Sequence, residues 1–554
     1  MRLLLVLALF VPVFAQAPVT IQVGPGMEGP WRPVWRFFGY DEPNYTYMKD
    51  GKKLLSEIAA LSPHTVHVRV HNLLTSGDGE AALKWGSTNA YTEDANGKPI
   101  YNWTIVDRIF DTFVERKMKP LVEIGFMPEA LSVKPTPYRH NWDPAQKYQN
   151  IYTGWAQPAK DYGKWSELIF QWVKHSVERY GKAEVESWYW EVWNEPDIGY
   201  WQSTPEEYFK LYDYSADAVK RALPGIRIGG PTSTGPAGEK AGNFLRAFLE
   251  HVSKGKNYAT GKTGSPLDYI TFHAKGRPTV FEGHVRMGSE KQMNDVSKGF
   301  AIVASFPMLK KLPIIIGESD PEGCAACSVR FNPQNAYRNG TMYSSYTAAT
   351  FARKNQLAAR HEVNFEGAVT WAFEFENQPY FDGFRDLATN GIDKPVLNVF
   401  RMFGLMEGQR IAVKSSGALE LDAILSGGVK NGADVNAVAT RGERAISVMA
   451  WNYHDDDLAG PAAPVSLKLA GVPASAQRVL IRHYRIDKDH SNSYSLWQAM
   501  GSPQKPTAEQ YAQLEAAGQL QTLGSPEWVP VKNGSVELAF PLPRQAVSLV
   551  QASW

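Results

Sequence analysis

Two glutamates stand in matching surroundings. Glu195 follows the run Trp188 to Trp193 and precedes Pro196, and Glu318 follows Pro313 to Gly317 and precedes Ser319-Asp320-Pro321. Each run is short and either aromatic or β-branched, which reads as a buried strand rather than a helix. Each proline stops the strand, so each carboxyl sits where a strand gives way to a loop. A parallel α/β barrel keeps its chemistry at that end of its strands. Two carboxyls held about 5–5.5 Å apart let one protonate a glycosidic oxygen while the other attacks the anomeric carbon. Burial among tryptophans is expected to raise the pKa of Glu195, which suits a general acid. The plainer reading is a structural glutamate in a surface turn. The repeat of the pattern at Glu318 argues against it.

Eight strand-like runs alternate with helical patterns. The strands are expected at Trp35–Tyr40, Thr65–Val70, Lys119–Ile124, Trp188–Trp193, Ile226–Gly230, Tyr269–His273, Ile314–Gly317 and Ala368–Phe373. Between them, Trp165, Leu168, Ile169, Trp172, Val173, Ser176, Val177 and Tyr180 recur at helical spacing until Gly181. Thr204-Pro205-Glu206-Glu207 reads as a capping box with proline at the first helical position, opening a helix to about Ala222. Val106, Ile109, Phe110 and Phe113 mark another. The alternation predicts an α/β chain, a (β/α)8 TIM barrel. Past Val396 the texture changes to strands with turn residues between them: Ala445–Trp451, Arg478–Ile481 and Ser535–Phe540. A helix is expected over Pro506–Ala517. This reads as a C-terminal β-sandwich accessory domain.

The chain of 554 residues has 58 Lys+Arg against 57 Asp+Glu, a formal charge of +1. That balance offers nothing to nucleic acid or to an anionic membrane. Arg2, the apolar Leu3 to Phe14 and Ala15-Gln16-Ala17 form a secretory leader, with a mature start at Pro18. The apolar run is shorter than the roughly 20 residues of a membrane span, so secretion or a periplasmic location is expected. The domain boundaries follow: leader 1–17, an N-terminal strand within 18–32, the barrel over 33–395 and the sandwich over 396–554. Asn44, Asn102, Asn339 and Asn533 lie in sequons, which matter only where the source glycosylates. The only cysteines are Cys324 and Cys327. They lack the further ligands of a zinc site and the fold context of a redox Cys-x-x-Cys motif. In an oxidising compartment they read as a small loop disulfide beside Glu318, the alternative being two free buried thiols. No metal or cofactor is expected.

At these residues the chain resembles glycoside hydrolase family 39. The likeness runs through Phe38-Gly39-Tyr40, His64 to His71, Pro120 to Leu131, Asn194-Glu195-Pro196, Asp268 to His273 and Asp489 to Gln504, nearly the whole mature chain. The resemblance implies that Glu195 is the acid/base and Glu318 the nucleophile. It implies that Asn194 binds the sugar 2-hydroxyl, and that His71 and His273 contact sugar. It also implies that the first mature residues pair with the C-terminal β domain. Trp371 is a candidate floor for the ring, and Glu374 and Glu376 could hold outer hydroxyls. Tyr40 and Glu123 are weaker candidates, and Asp320 or Glu322 could orient the nucleophile. Where the family's xylosidases have His-Gly, this chain has His71-Asn72. Lys275 after His273 resembles instead the family's α-L-iduronidases, where a lysine binds a uronate carboxylate. The Asp489 to Gln504 stretch resembles bacterial β-xylosidases. The implied activity is release of terminal sugar from an oligosaccharide or aryl glycoside, xylose first. An iduronidase-like or arabinose-specific enzyme is the alternative within the family, and a catalytically silent carbohydrate-binding protein the alternative outside it.

Overall fold

The computed structural model describes residues 17–146, 149–322, 324–371 and 373–554. The expected leader therefore lies outside the described residues, save Ala17.

Eight parallel strands close into a barrel: β1 Phe37–Tyr40, β2 His67–Val70, β3 Lys119–Ile124, β4 Tyr189–Val192, β5 Arg227–Ser233, β6 Tyr269–Phe272, β7 Pro313–Ile316 and β8 Asn364–Trp371. Neighbours pair in sequence order, and β8 closes onto β1 through Val369↔Phe37, Thr370↔Phe38 and Trp371↔Gly39. Nearly every strand residue is buried, as expected for strands with packed side chains inside and helices outside. A long helix follows each strand: α1 Lys49–Ala59, α2 Thr104–Val114, α3 Tyr162–Tyr180, α4 Pro205–Ala222, α5 Glu239–Lys254, α6 Ser289–Ala304, α7 Thr341–His361 and α8 Pro395–Gly404, with a short helical turn, Lys182–Glu186, between α3 and β4. The sequence cues act where they stand. Thr204 accepts a hydrogen bond from the Glu207 amide at the start of α4. Gly181 ends α3 at φ 89°, a conformation costly for other residues.

The C-terminal region is mostly sheet. The N-terminal strand Val19–Pro30 sits inside it, antiparallel to Gln409–Ser415 and parallel to Ala463–Ala470. Ten strands form one hydrogen-bonded sheet, nine of them in a single path with the tenth, Glu527–Pro530, paired to Arg478–Ile486, and the path folds back on itself. His483, near one end, packs 4.7 Å from the ring of Phe540 at the other. Arg485 Nη2 donates to the carbonyl of Pro541 at 3.0 Å. The two halves thus face each other as a sandwich, over a core containing Ile21, Val448, Leu467, Val479 and Val550. A helix pair, Ser493–Ala499 and Ala508–Gly518, leaves the sheet and packs on the barrel. Trp497 and Leu514 meet Phe381 and Ile392 there. The first of these helices is not evident in the sequence reading.

Candidate active site

The acid-bearing end of β4 is held in an unusual backbone. Trp193 has φ 71° and Glu195 φ 43°, the left-handed region that bulky residues avoid. Neighbouring strands hold both residues in place. The amide of Trp193 donates to Ile124 O on the β3 side (3.1 Å), and that of Glu195 to Thr232 O on the β5 side (3.0 Å). Trp193 Nε1 donates to Tyr200 O at 2.9 Å. Strain of this kind persists where the surroundings over-determine it, and it clusters at active sites.

Arg69, in the middle of β2, is the hub beneath. It is fully buried and pairs with Glu191 and with Glu123 (2.7 Å). It also donates to Asn194 Oδ1 at 3.0 Å and reaches Glu318 Oε1 at 3.4 Å. One guanidinium thus ties β3, β4 and β7 to β2 and fixes Asn194 and Glu318 together. Asn194 Nδ2 is buried and has no partner among the described residues. A buried donor without an acceptor is costly, so this amide is poised for a ligand oxygen.

His71 donates from Nδ1 to Glu123 Oε2 at 2.6 Å, and its Nε2 faces Asp41 (3.3 Å) and Glu318 (3.5 Å). Burial pushes its pKa down, but Glu123 and Glu318 outweigh this and hold it at about 9. His71 is therefore an imidazolium. Trp371 donates from Nε1 to Asp41 Oδ1 (2.9 Å) and lies 4.9 Å under the Arg69 guanidinium. Its ring presses on β1 where only glycine fits. A Cβ on Gly39 would fall 2.4 Å from Trp371 Cζ3.

The two glutamates meet across the mouth. One oxygen of each, with a ring nitrogen of His273, lie within 4.8 Å of one another. Lys275 enters between them, 2.5 Å from Glu318 Oε2 and 3.3 Å from Glu195 Oε1. His273 Nδ1 donates to Glu195 Oε1 at 2.8 Å. Burial pushes both carboxyls up, yet Lys275 and His273 more than offset it. Glu195 stays below the usual range and Glu318 well below it. The expected rise at Glu195 is thus reversed. The tryptophans exclude water, but an ammonium in contact decides the sign. Burial lowers the pKa of His273 itself, against the pull of Glu318 and Glu195. The Glu195–His273–Glu318 trio offers three ligand atoms to a cation, but the Lys275 ammonium already lies against both carboxylates.

Other candidates fall elsewhere. Glu374 is buried and accepts from the Gly391 amide at 2.8 Å, and Glu376 accepts from the Asp50 amide at 3.0 Å. Neither has a contact with Glu195 or Glu318 among the described residues. Tyr40 bonds Thr46 and stacks on Phe373, a structural position. Glu322 pairs with Arg338 at 2.7 Å. Asp320 is the residue that braces the loop carrying Glu318. It is buried, accepts from the Trp371 amide at 2.6 Å and pairs with Arg385 at 3.0 Å. Burial raises its pKa to about 7, against the pull of Arg385. Cys324 and Cys327 are bonded to each other in the same loop. The sequence reading missed Arg69, Glu191, Asp41 and Arg385. The signal was there for two of them: a charge in the middle of an apolar strand, as in His67-Val68-Arg69-Val70 and Trp190-Glu191-Val192, requires a buried partner.

This arrangement can protonate a leaving oxygen from one carboxyl and form a covalent bond with the other. Known proteins resemble the chain over most of its length. The profile of Glycosyl hydrolases family 39 matches residues 28–524. A β-xylosidase of Geobacillus stearothermophilus is 25% identical over 494 residues, covering 88% of this chain and 86% of its own. An α-L-iduronidase of Mus musculus is 27% identical over 541 residues, covering 90% of this chain and 76% of its own. The crystal structure of a monomeric β-xylosidase from Caulobacter crescentus superposes with a TM-score of 0.73 at 21% identity, over 96% of this chain and 99% of that one. The chain belongs to glycosyl hydrolase family 39 and is a retaining glycoside hydrolase.

Proposed function

We propose that the protein is an exported exo-acting β-xylosidase, with Glu195 as acid/base and Glu318 as nucleophile. The observation that carries the sugar choice is the pairing of Lys275 with both carboxylates. Arg385 is likewise paired, with Asp320. Each cation bordering the site already faces a carboxylate of the protein, so a neutral sugar leaves the charges balanced. The β-xylosidase relatives support the same reading. Ionised Glu318 attacks the anomeric carbon while Glu195, protonated, releases the aglycone. Glu195 then acts as base on the water that frees the sugar. Asn194 Nδ2 is placed for the sugar 2-hydroxyl. Export rests on the Met1–Ala17 pattern, and a mature N-terminus at Pro18 in protein recovered outside the cytoplasm checks it.

One observation favours an iduronidase-like reading. Arg385 is fully buried beside Asp320, yet none of its guanidinium nitrogens makes a well-aligned hydrogen bond among the described residues. With Lys275 it could receive a substrate carboxylate, and the α-L-iduronidase relatives fit that. Hydrolysis of an aryl β-xyloside and an aryl α-L-iduronide by the unmutated protein decides. The xyloside should be cleaved much faster. Efficient iduronide cleavage, abolished by Lys275→Met, would overturn the xylose choice.

A further inference from the structure

A cavity of about 430 Å³ opens where three distant parts of the chain meet: the loop after β8, the first turn of α1 and the C-terminal helix pair. Its lining includes Asp50, Glu376, Gln378, Tyr380, Gln504 and Tyr511, and shares no residue with the carboxylate site. We propose that it is a second, non-catalytic carbohydrate-binding site for neutral oligosaccharides.

Asp50 is 7% exposed and lines the open cavity, and its carboxylate accepts no hydrogen bond from the described residues. The Lys49 ammonium stands 4.0 Å away on an exposed side chain. Glu376, bonded to the Asp50 amide at 3.0 Å, puts a second carboxylate beside it. Burial first, and Glu376 second, push the Asp50 pKa up. Carboxylates that border an open cavity accept hydrogen bonds readily, and a ligand rich in hydroxyl donors supplies them. These carboxylates do not converge as metal ligands do. Among the described residues the only such set is Glu195, His273 and Glu318.

The walls suit a sugar. Tyr380 and Tyr511 offer aromatic surface for a pyranose face, and Gln378 and Gln504 offer amides that both donate and accept. The walls are also fixed in advance. The Tyr380 amide donates to Gln504 Oε1 at 2.9 Å, and Gln504 Nε2 returns a bond to Tyr380 O at 3.1 Å. Tyr511 donates to Asn390 O at 3.2 Å. Phe381 and Trp497, 5.0 Å apart, and Leu514 pack behind. Gln504 ends the Asp489 to Gln504 stretch, whose place in the catalytic reading was otherwise empty. Both sites are built on loops at the C-terminal end of the barrel strands, so one oligosaccharide-rich surface would meet both.

The test is calorimetry on the full chain carrying Glu318→Ala, titrated separately with xylotetraose, cellotetraose, mannotetraose and calcium alone. At least one tetraose should bind at two sites. Adding Tyr511→Ala should weaken one of them tenfold or more and leave the other. Asp50→Asn, isosteric and relieved of charge repulsion, should do the same without lowering thermal stability, and it decides the matter if Tyr511→Ala folds poorly. A single site for every tetraose, an isotherm indifferent to Asp50→Asn, or calcium binding that Asp50→Asn removes would each overturn the proposal. Aryl xyloside hydrolysis by otherwise unmutated protein, which Tyr511→Ala and Asp50→Asn should not change, reads the catalytic assignment separately.

Discussion

Lys275 Nζ stands 2.5 Å from Glu318 Oε2, closer than any other side chain in contact with that carboxylate. Glu318 therefore carries its own counter-ion, which also touches Glu195 at 3.3 Å. One ammonium thus links the two carboxylates.

Lys275→Met should move the pH–activity profile to higher pH. The ammonium holds Glu195 and Glu318 below their usual values, so removing it raises both. The acidic limb, where Glu318 must ionise, and the basic limb, where Glu195 must stay protonated, both shift upward. The same depressed carboxyls contribute stability that is present above the unfolded carboxylate pKa and lost as pH falls through the folded values. The unmutated protein should thus melt at steadily lower temperature on acidification, and Lys275→Met should flatten that slope. An unchanged profile of kcat/KM against pH would remove Lys275 from the catalytic electrostatics.

Glu318→Ala should lower kcat on an aryl glycoside by roughly 10⁴-fold or more while the fold persists, since no other group can form the covalent intermediate. Added azide should yield a glycosyl azide of inverted configuration and no product of retained configuration. Near-normal turnover would place the nucleophile elsewhere.

With Glu195→Ala the loss should depend on the leaving group. Poor leaving groups need protonation and should lose about 10²–10⁴-fold, the range of general acid catalysis. Activated ones should lose less in the first step, with slow deglycosylation and a burst of aglycone. Equal losses across a series of leaving groups would count against the acid/base role.

Gly39→Ala should destabilise the barrel by about 1–3 kcal/mol or more, the range for overpacking. The added methyl would meet the Trp371 ring at 2.4 Å and the Arg69 carbonyl at 2.9 Å. Since Trp371 lies under Arg69 and beside His71, activity should fall along with the denaturant midpoint. A stable, fully active variant would show that Trp371 can shift freely.

How far the site could be read in advance follows from its residues. Glu195 and Glu318 were legible because a carboxyl at the end of an apolar strand, before a proline, is a local pattern. Glu374 and Glu376 were local patterns too, following a strand in the same way. Yet Glu374 turns to the Gly391 amide and Glu376 to Asp50. Nothing within a few residues of them distinguishes a carboxyl facing the mouth from one facing an adjoining loop. Asp320 and Arg385 lie 65 positions apart, and their pairing is invisible until β7 and the loop after β8 are brought together.

The sequence by itself determined the alternation of strands and helices, and with it the barrel and the two strand-end glutamates. Hydrophobic period, caps and prolines act over a few residues and are written in the chain. The tertiary structure alone decided the charges. Glu195 among tryptophans reads locally as a carboxyl raised by burial. Lys275, which follows a different strand, reverses that sign by reaching across the mouth. Burial is foreshadowed by neighbours in sequence, whereas Coulomb interactions depend on distance in space. Only the closed barrel sets the 2.5 Å and 3.3 Å separations at which one ammonium outweighs the desolvation of two carboxylates.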